Sequence, residues 1–500
     1  MGTTIRHTKN NFIFSVISQI VTVGLGLLIP RIVMVGYGSE VNGLLNSVTQ
    51  FVAYLIIFEA GIQTVATQSL YKTVGVGDKK ATNAILSAVD KNYKKIGCFY
   101  FGGLLGLSLV YPFFSLSENV SYLTVFLVTL FSGLGNVISF FFQGKYKILL
   151  LVEGKNYILT NLSTIITVLN NVIKVLLLHL GCNVAVVIFA TFLISLIQTI
   201  YIIVYIKREY KWIDLDEIPN FSALKQNKSA LIHQISGLIF YNTDVLILTI
   251  VCGLEIVSVY TVYKLLCDHV FSFLRIPFDS CSFALGQTYS LDREKYIERI
   301  DAIEVFCAAI FFSVFTVVLK LILPFMRLYT SGVGDISYVD RHLAILFVIY
   351  ELLNWMRVPM IKTIDFAGHF KETLPQTIIE SSINVWVSLI CVFFCGIYGV
   401  LMGTIVALLY RSIEIIIYAN KKILCRKPWK TFSLYILNWV IMLAISIALN
   451  QFDFSIENYF DFFKFGIIIT PIVLAIFICI NVAVFHNNIK LFIGKLSKGK

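Results

Sequence analysis

YNTDVLILTIVCGLEIVSVYTVYKLLCDHVFSFLRIPFD, residues 241–279, holds two long apolar segments around a turn at Gly253-Leu254-Glu255. Away from that turn it carries Asp244, Lys264, Asp268, Arg275 and Asp279. A charge at bilayer depth costs from about 2.5 to well over 10 kcal/mol unless it faces a partner or water. Charges kept there predict a polar cavity between helices. At 100° per residue, Lys264, Asp268, Arg275 and Asp279 share an arc of roughly 60° on one helix face, and Tyr260 and Phe271 lie on the same stripe. Asp244 precedes Gly253 by nine residues and Lys264 follows Glu255 by nine. At about 1.5 Å rise per residue both lie some 13 Å from the turn, near the middle of a roughly 30 Å hydrocarbon core. Side-by-side helices would place them level. The competing reading is a structural ion pair, Asp244–Lys264 or Lys264–Asp268, although intramembrane ionisable groups are read first as functional.

The rest of the chain has the same character. Its 500 residues are 58% hydrophobic and 14% charged, with a mean hydropathy of +0.83, whereas soluble domains run at about 45–50% apolar and 25% charged. A soluble protein is excluded. The 41 Phe and 25 Tyr suit rings anchored at bilayer interfaces. The net charge of +11 does not point to nucleic acid, because the basic residues sit in short loops between apolar runs. The 10 cysteines are scattered without CxxC or Cys/His spacing, so they read as small buried hydrophobes and no metal site is expected. The first apolar run reads as a signal-anchor span, not a cleavable signal peptide.

Fourteen runs are long enough to cross a membrane: approximately 11–36, 41–70, 96–116, 120–143, 157–181, 183–206, 229–252, 254–289, 302–330, 342–366, 374–396, 398–420, 431–450 and 464–487. The longer ones must tilt, kink or emerge. Assigning alternate loops to alternate sides puts 30 of the 40 Lys and Arg on one side, from Arg6 and Lys9 through Lys79-Lys80, Lys145, Lys147, Lys155, Lys225 and Lys421-Lys422 to the tail Lys490–Lys500. The other side holds Glu40, Glu118, Glu255, Asp335, Asp340, Asp453, Glu457 and Asp461, with Arg341 and Lys464 as the main exceptions. By the positive-inside rule both termini are cytoplasmic. A repeat underlies the pattern. Gln19 followed by Gly38-Ser39-Glu40-Val41 matches Gln234 followed by Gly253-Leu254-Glu255-Ile256 at an offset of 215, and Gly154 with Lys207-Arg208 matches Gly368 with Lys421-Lys422 at 214. The expected fold is all-α and membrane-integral. Two parallel six-helix bundles (spans 1–6 in residues 1–210, spans 7–12 in 211–425) would flank a central cavity, with two extra helices and a basic tail in 426–500. Parallel repeats of this kind serve transporters working by alternating access.

Several stretches carry a resemblance. Asn11-Phe12, Gly36-Tyr37-Gly38-Ser39-Glu40-Val41-Asn42-Gly43, Glu59-Ala60-Gly61-Ile62, Gly77-Asp78-Lys79-Lys80 through Tyr93-Lys94-Lys95-Ile96-Gly97, and Asn242-Thr243-Asp244 are five of them. Gly368-His369-Phe370-Lys371-Glu372-Thr373 and Tyr398-Gly399-Val400-Leu401 with Gly403-Thr404 complete the set. In their order and spacing they resemble the polysaccharide transporter family, the O-antigen and capsule-type flippases of the multidrug/oligosaccharidyl-lipid/polysaccharide exporter superfamily. The resemblance covers spans 1–12. It implies translocation of undecaprenyl-pyrophosphate-linked oligosaccharide units from the cytoplasmic to the outer leaflet of a bacterial cytoplasmic membrane. It also implies membrane lipid as a partner and the glycosyltransferases and polymerase of the same pathway as associates.

The residues agree with that task. An anionic head crossing a low-dielectric barrier needs cations, preferably Arg, whose planar fork matches phosphate oxygens. Lys264, Arg275, Arg357 and Arg31 are the candidates for the head group; Lys174, Lys320 and Arg411 are further intramembrane cations without an assigned place. Arg31 and Arg411 lie near span ends and can snorkel, and Glu351 or Asp365 can pair with Arg357. Asp244, Glu59 and Asp268 are the candidates for a coupling cation, since carboxylates at depth form relays in transporters. No cofactor is expected beyond a proton or sodium gradient. Gly144-Lys145-Tyr146 and Gly154-Lys155-Asn156 lack the Ser or Thr of a Walker A loop, and an enzyme is not expected. The rivals are a cation-coupled multidrug exporter of the same superfamily, with an aromatic, acid-lined pocket, and a polysaccharide polymerase or ligase, which would carry Arg or His in a long outward loop.

Overall fold

The computed structural model describes residues 2–59, 62–115, 120–224, 228–452 and 456–486. Of the positions named above, Ala60, Gly61, Glu118, Lys225, Asp453 and Lys490–Lys500 lie outside the described residues. The described residues contain no strand. In chain order the α-helices are α1 (Gly2–Leu55), α2 (Ile62–Val76), α3 (Lys79–Val110), α4 (Pro112–Ser115), α5 (Tyr122–Ile138), α6 (Gly144–Val152), α7 (Asn156–His179) and α8 (Val184–Glu209). They continue as α9 (Lys228–Val251), α10 (Leu254–Leu291), α11 (Arg293–Tyr329), α12 (Arg341–Ala367), α13 (Leu374–Cys395), α14 (Ile397–Tyr418), α15 (Trp429–Asn450) and α16 (Tyr459–Val484). The chain packs as two compact units, Met1–Thr261 and Val262–Lys500.

Among the described residues, 12 helical segments are long and apolar enough to cross a membrane. The two remaining expected spans are present as helices but differ from the simple pattern. Spans 1 and 2 are joined in α1, which turns at Gly38 (φ 85°, ψ 170°), a backbone conformation that glycine adopts without Cβ penalty. The second piece then passes through the 3₁₀ turn Ile56–Glu59 into α2. Span 8 is α10, 38 residues long, whose intramembrane charges hold its apolarity below that of the twelve. The protein is an all-α, multi-pass membrane protein. Left-handed glycines recur along it at the repeat offset: Gly38 (φ 85°) with Gly253 (φ 87°), Gly154 (φ 73°) with Gly368 (φ 72°), and Gly181 (φ 71°) with Gly396 (φ 55°).

Local chemistry sets the helix ends. Asp78 accepts from the Ala81 amide at 2.9 Å, Asp292 from Lys295 at 3.0 Å, and Asp340 from His342 at 2.8 Å. Each side chain satisfies an amide that the first helical turn would otherwise leave open. Gly253 supplies the expected turn between α9 and α10. In the second unit, α13 and α14 form a tight hairpin, because a Cβ at Gly399 would strike the Cys391 carbonyl and one at Gly403 would strike Ser388. Small residues at four-residue spacing let membrane helices approach in this way. The pair α15–α16 packs on α11 and is held together by a reciprocal amide pair, Asn438 to Asn481 at 3.0 Å and back at 2.9 Å. Asp301 of α11 fixes the start of α15 by accepting from Arg426 and from Lys430 (2.6 Å).

Candidate functional site

In the first unit a cavity of about 380 Å³ lies among α1, α5, α6, α7 and α8. Its wall carries Lys147, Lys174, Asn136, Gln143, Asn170 and Gln198 together with serine and threonine hydroxyls, and among the described residues no carboxylate lines it. The sequence places these groups by two devices. Residues Ser139–Gln143 form a π turn between α5 and α6, an irregularity that shifts the side-chain register and often marks functional sites. Beyond it, Lys145 is drawn to the buried Asp90, while Lys147 lines the cavity and donates to Ser139 Oγ at 3.0 Å. On α7, Asn170 and Lys174 are four residues apart and therefore share a face. Lys174 makes no hydrogen bond, ion pair or ring contact with any described residue. Gln143 Oε1 and Asn170 Oδ1 are buried and accept no hydrogen bond from a described residue. Gln143 is itself buried and spends its amide nitrogen on Thr199 Oγ1 at 2.8 Å.

Glu59 stands beside this region: Tyr93 donates to its Oε1 at 2.7 Å, and Lys147 is within its electrostatic reach. Asp244 is buried elsewhere in the same unit and accepts from Tyr260 Oη at 2.7 Å. Arg31, after Pro30 in α1, is partly buried.

The second unit holds its charges differently. Lys264 and Asp268 of α10 face Glu351 of α12, and the Lys264 ammonium lies 5.8 Å from the Tyr350 ring centre. Glu351 is fully buried, with neither carboxylate oxygen in a hydrogen bond to a described residue. Two carboxyl groups and one ammonium thus meet inside an apolar bundle. One turn further along α12, Asn354 accepts from Arg357 Nε at 3.1 Å and Nη2 at 3.0 Å. Arg357 then pairs with Glu380 of α13 at 2.5 Å, and Arg411 of α14 closes on the same carboxylate at 3.4 Å and on Glu414 at 2.5 Å. All three residues Arg357, Glu380 and Arg411 are buried. Arg275 pairs with Asp279 at 3.0 Å with both side chains over a third exposed. Lys320 reaches the Phe452 carbonyl at 3.3 Å.

The structure thus brings Lys264 and Asp268 together and adds Glu351; it keeps Arg357 apart in an arginine–carboxylate cluster, with Glu380 as its partner in place of Glu351 or Asp365. Sequence reasoning counted Lys147 as a loop cation and passed over Gln143, Asn170 and Glu380. The available signal was the run of amides and lysines inside spans 4–6 (Asn136, Gln143, Asn170, Lys174, Gln198), which apolar segments rarely carry without a cavity. Among the described residues no group of three or more His, Cys, Asp or Glu could hold a metal ion.

No protein-family model and no curated protein matches this chain. Among solved structures it is similar to the lipid II flippase MurJ in an inward closed conformation, at 15% identity over 94% of this chain and 99% of that one, with a TM-score of 0.68. The chain has the fold of a MOP superfamily transporter. An inward-facing multidrug resistance MATE family transporter of that superfamily matches at 15% identity, 82% and 95% coverage and a TM-score of 0.61. A MOP superfamily transporter from Pyrococcus furiosus, described as having a binding pocket of reverse polarity, matches at 15% identity, 84% and 93% coverage and 0.52. These neighbours are described as a flippase and transporters. The additional part of the chain covered by the flippase is about the size of the α15–α16 pair.

Proposed function

We propose that the protein is a flippase for undecaprenyl-pyrophosphate-linked oligosaccharide units, moving them from the cytoplasmic to the outer leaflet of the bacterial cytoplasmic membrane for O-antigen, capsule or exopolysaccharide synthesis. The observation that carries this reading is the cavity lined by Lys147 and Lys174 without a carboxylate among the described residues. An anionic head group is stabilised there, whereas the organic cations of a multidrug exporter are repelled. In this reading, residues 1–210 and 211–425 are the two six-helix bundles and α15–α16 are the appended pair. Coupling runs on a proton or sodium gradient, with Asp268 and its neighbour Glu351 as the cation site and Asp244 and Glu59 as further carboxylates. Lys264, Arg275 and Arg31 remain the proposed head-group cations, joined now by Lys147 and Lys174, while Arg357, paired with Glu380, is read as structural. Glycosyltransferases and the polymerase of the pathway are the proposed partners.

The test is transport by the full chain in proteoliposomes, following a lipid-linked oligosaccharide by its accessibility to an impermeant probe. Gradient-dependent appearance in the opposite leaflet is expected. Gradient-driven movement of a cationic dye, with a stationary lipid-linked glycan, would replace this reading with multidrug export. Both termini are placed on the cytoplasmic side, so reporters fused after Lys228 and after Asp335 should sit on opposite faces of the membrane; signals from one face would overturn that topology.

A further inference from the structure

The lining of the first unit's cavity has a hydrogen-bonding sense. Thr49 donates its hydroxyl to Leu45 O at 2.7 Å, Thr191 to Ile188 O at 2.8 Å and Ser195 to Phe192 O at 2.6 Å. Each hydroxyl proton is committed to the helix backbone, so each oxygen faces the cavity as an acceptor. Gln143 Oε1 and Asn170 Oδ1 add two buried acceptors without donors. A bare inorganic anion brings mainly acceptors and leaves most of these oxygens without a donor. The wall calls for a ligand rich in O–H donors.

The two lysines call for negative charge on the same ligand. Lys147 lies five residues before the end of α6 and Lys174 five before the end of α7. Consecutive spans run in opposite directions, so the two cations stand toward opposite ends of the cavity. The lining positions on α5–α6 run from Phe131 to Lys147, about 24 Å of rise at 1.5 Å per residue. The cavity is a slot with a cation toward each end and hydrogen-bond acceptors between.

We infer that this slot binds a phosphorylated saccharide: Lys174 holds its phosphate, Lys147 takes a second anionic group on a ligand long enough to carry one, and Gln143, Asn170 and the hydroxyl oxygens accept from its hydroxyls. This rests on the flippase reading for the source of the ligand, the head of a lipid-linked glycan, and adds that the slot reads the sugar as well as the charge. A buried acceptor left empty costs as much as a lost hydrogen bond, so a ligand lacking hydroxyls binds less tightly.

The experiment uses the full chain in phosphatidylcholine nanodiscs, free of sugar-based detergents, titrated with glucose 1-phosphate, inorganic phosphate and glucose. Glucose 1-phosphate should bind at least tenfold more tightly than either fragment. Lys174→Met should weaken it tenfold or more and Lys174→Arg should restore it. Gln143→Leu with Asn170→Leu should bring glucose 1-phosphate down to the level of phosphate while leaving phosphate unchanged. Equal affinity for phosphate and glucose 1-phosphate, no binding of either, or indifference to Lys174→Met would each overturn the proposal. Undecaprenyl phosphoglucose in the disc should displace glucose 1-phosphate; undisplaced binding overturns the lipid-borne source. If the selectivity holds while no lipid-linked glycan crosses in proteoliposomes, the flippase reading fails and the saccharide site stands.

Discussion

The first unit leaves a cavity-lining cation without a partner among the described residues, and the second ties its buried arginines up. Lys174 in residues 1–261 has no partner among the described residues, within a wall of amides and hydroxyls. Arg357 and Arg411 in residues 262–500 share Glu380, and Arg411 takes Glu414 as well. The difference separates two uses of charge in a membrane. A cation whose partner is another side chain is neutralised permanently and fixes helices against one another. A cation whose partner is missing has its interaction energy available for something that comes and goes. The Lys264–Asp268–Glu351 group lies between these extremes, because one ammonium there stands near two carboxyl groups.

The largest effect should come from breaking the tied cluster. Glu380→Gln removes the carboxylate that Arg357 and Arg411 share, and removing one partner of a buried pair costs about 3–5 kcal/mol. Thermal unfolding in nanodiscs should shift down by many degrees, with low membrane yield; an unchanged midpoint would show that the cluster is not structural. Next comes Lys174→Met, which should lower lipid-linked glycan flux tenfold or more while leaving the unfolding midpoint unchanged or raised. A midpoint that falls with flux would place Lys174 among the structural charges and erase the contrast. Smaller is the expected effect of Asp268→Asn or Glu351→Gln: severalfold loss of the response to an imposed proton or sodium gradient, with downhill exchange retained. Full gradient response in both variants would remove this group from coupling. The smallest effect on stability belongs to Arg275→Gln, since exposed ion pairs contribute about 0–1 kcal/mol. A large flux defect at unchanged stability would then mark Arg275 as a station on the transport path.

The span pattern was legible because it rests on composition and periodicity, which require no knowledge of neighbours. The stripe Lys264–Asp268 was legible for the same reason: a period of 3.6 residues puts both on one face. The partners were not. Glu380 follows Arg357 by 23 residues and crosses to another helix, so no helical spacing links them. Lys147 read as a loop cation because the basic cluster Lys145-Tyr146-Lys147 follows an apparent span end. In the structure α6 continues that span to Val152, and the π turn at Ser139–Gln143 precedes the cluster.

From the sequence alone came the class of the molecule. Apolar runs of bilayer length, charged loops on alternate sides and glycines at a repeat offset determine an all-helical membrane protein, because each is a local property fixed by backbone geometry and transfer energy. Tertiary structure alone decided which buried charges are free. That depends on which helix faces which, on a single bulged turn, and on whether a carboxylate sits within the roughly 4 Å at which an ion pair forms. Lys174 and Arg357 look alike in one-letter code. Packing leaves the first on the wall of a cavity and closes the second against Glu380.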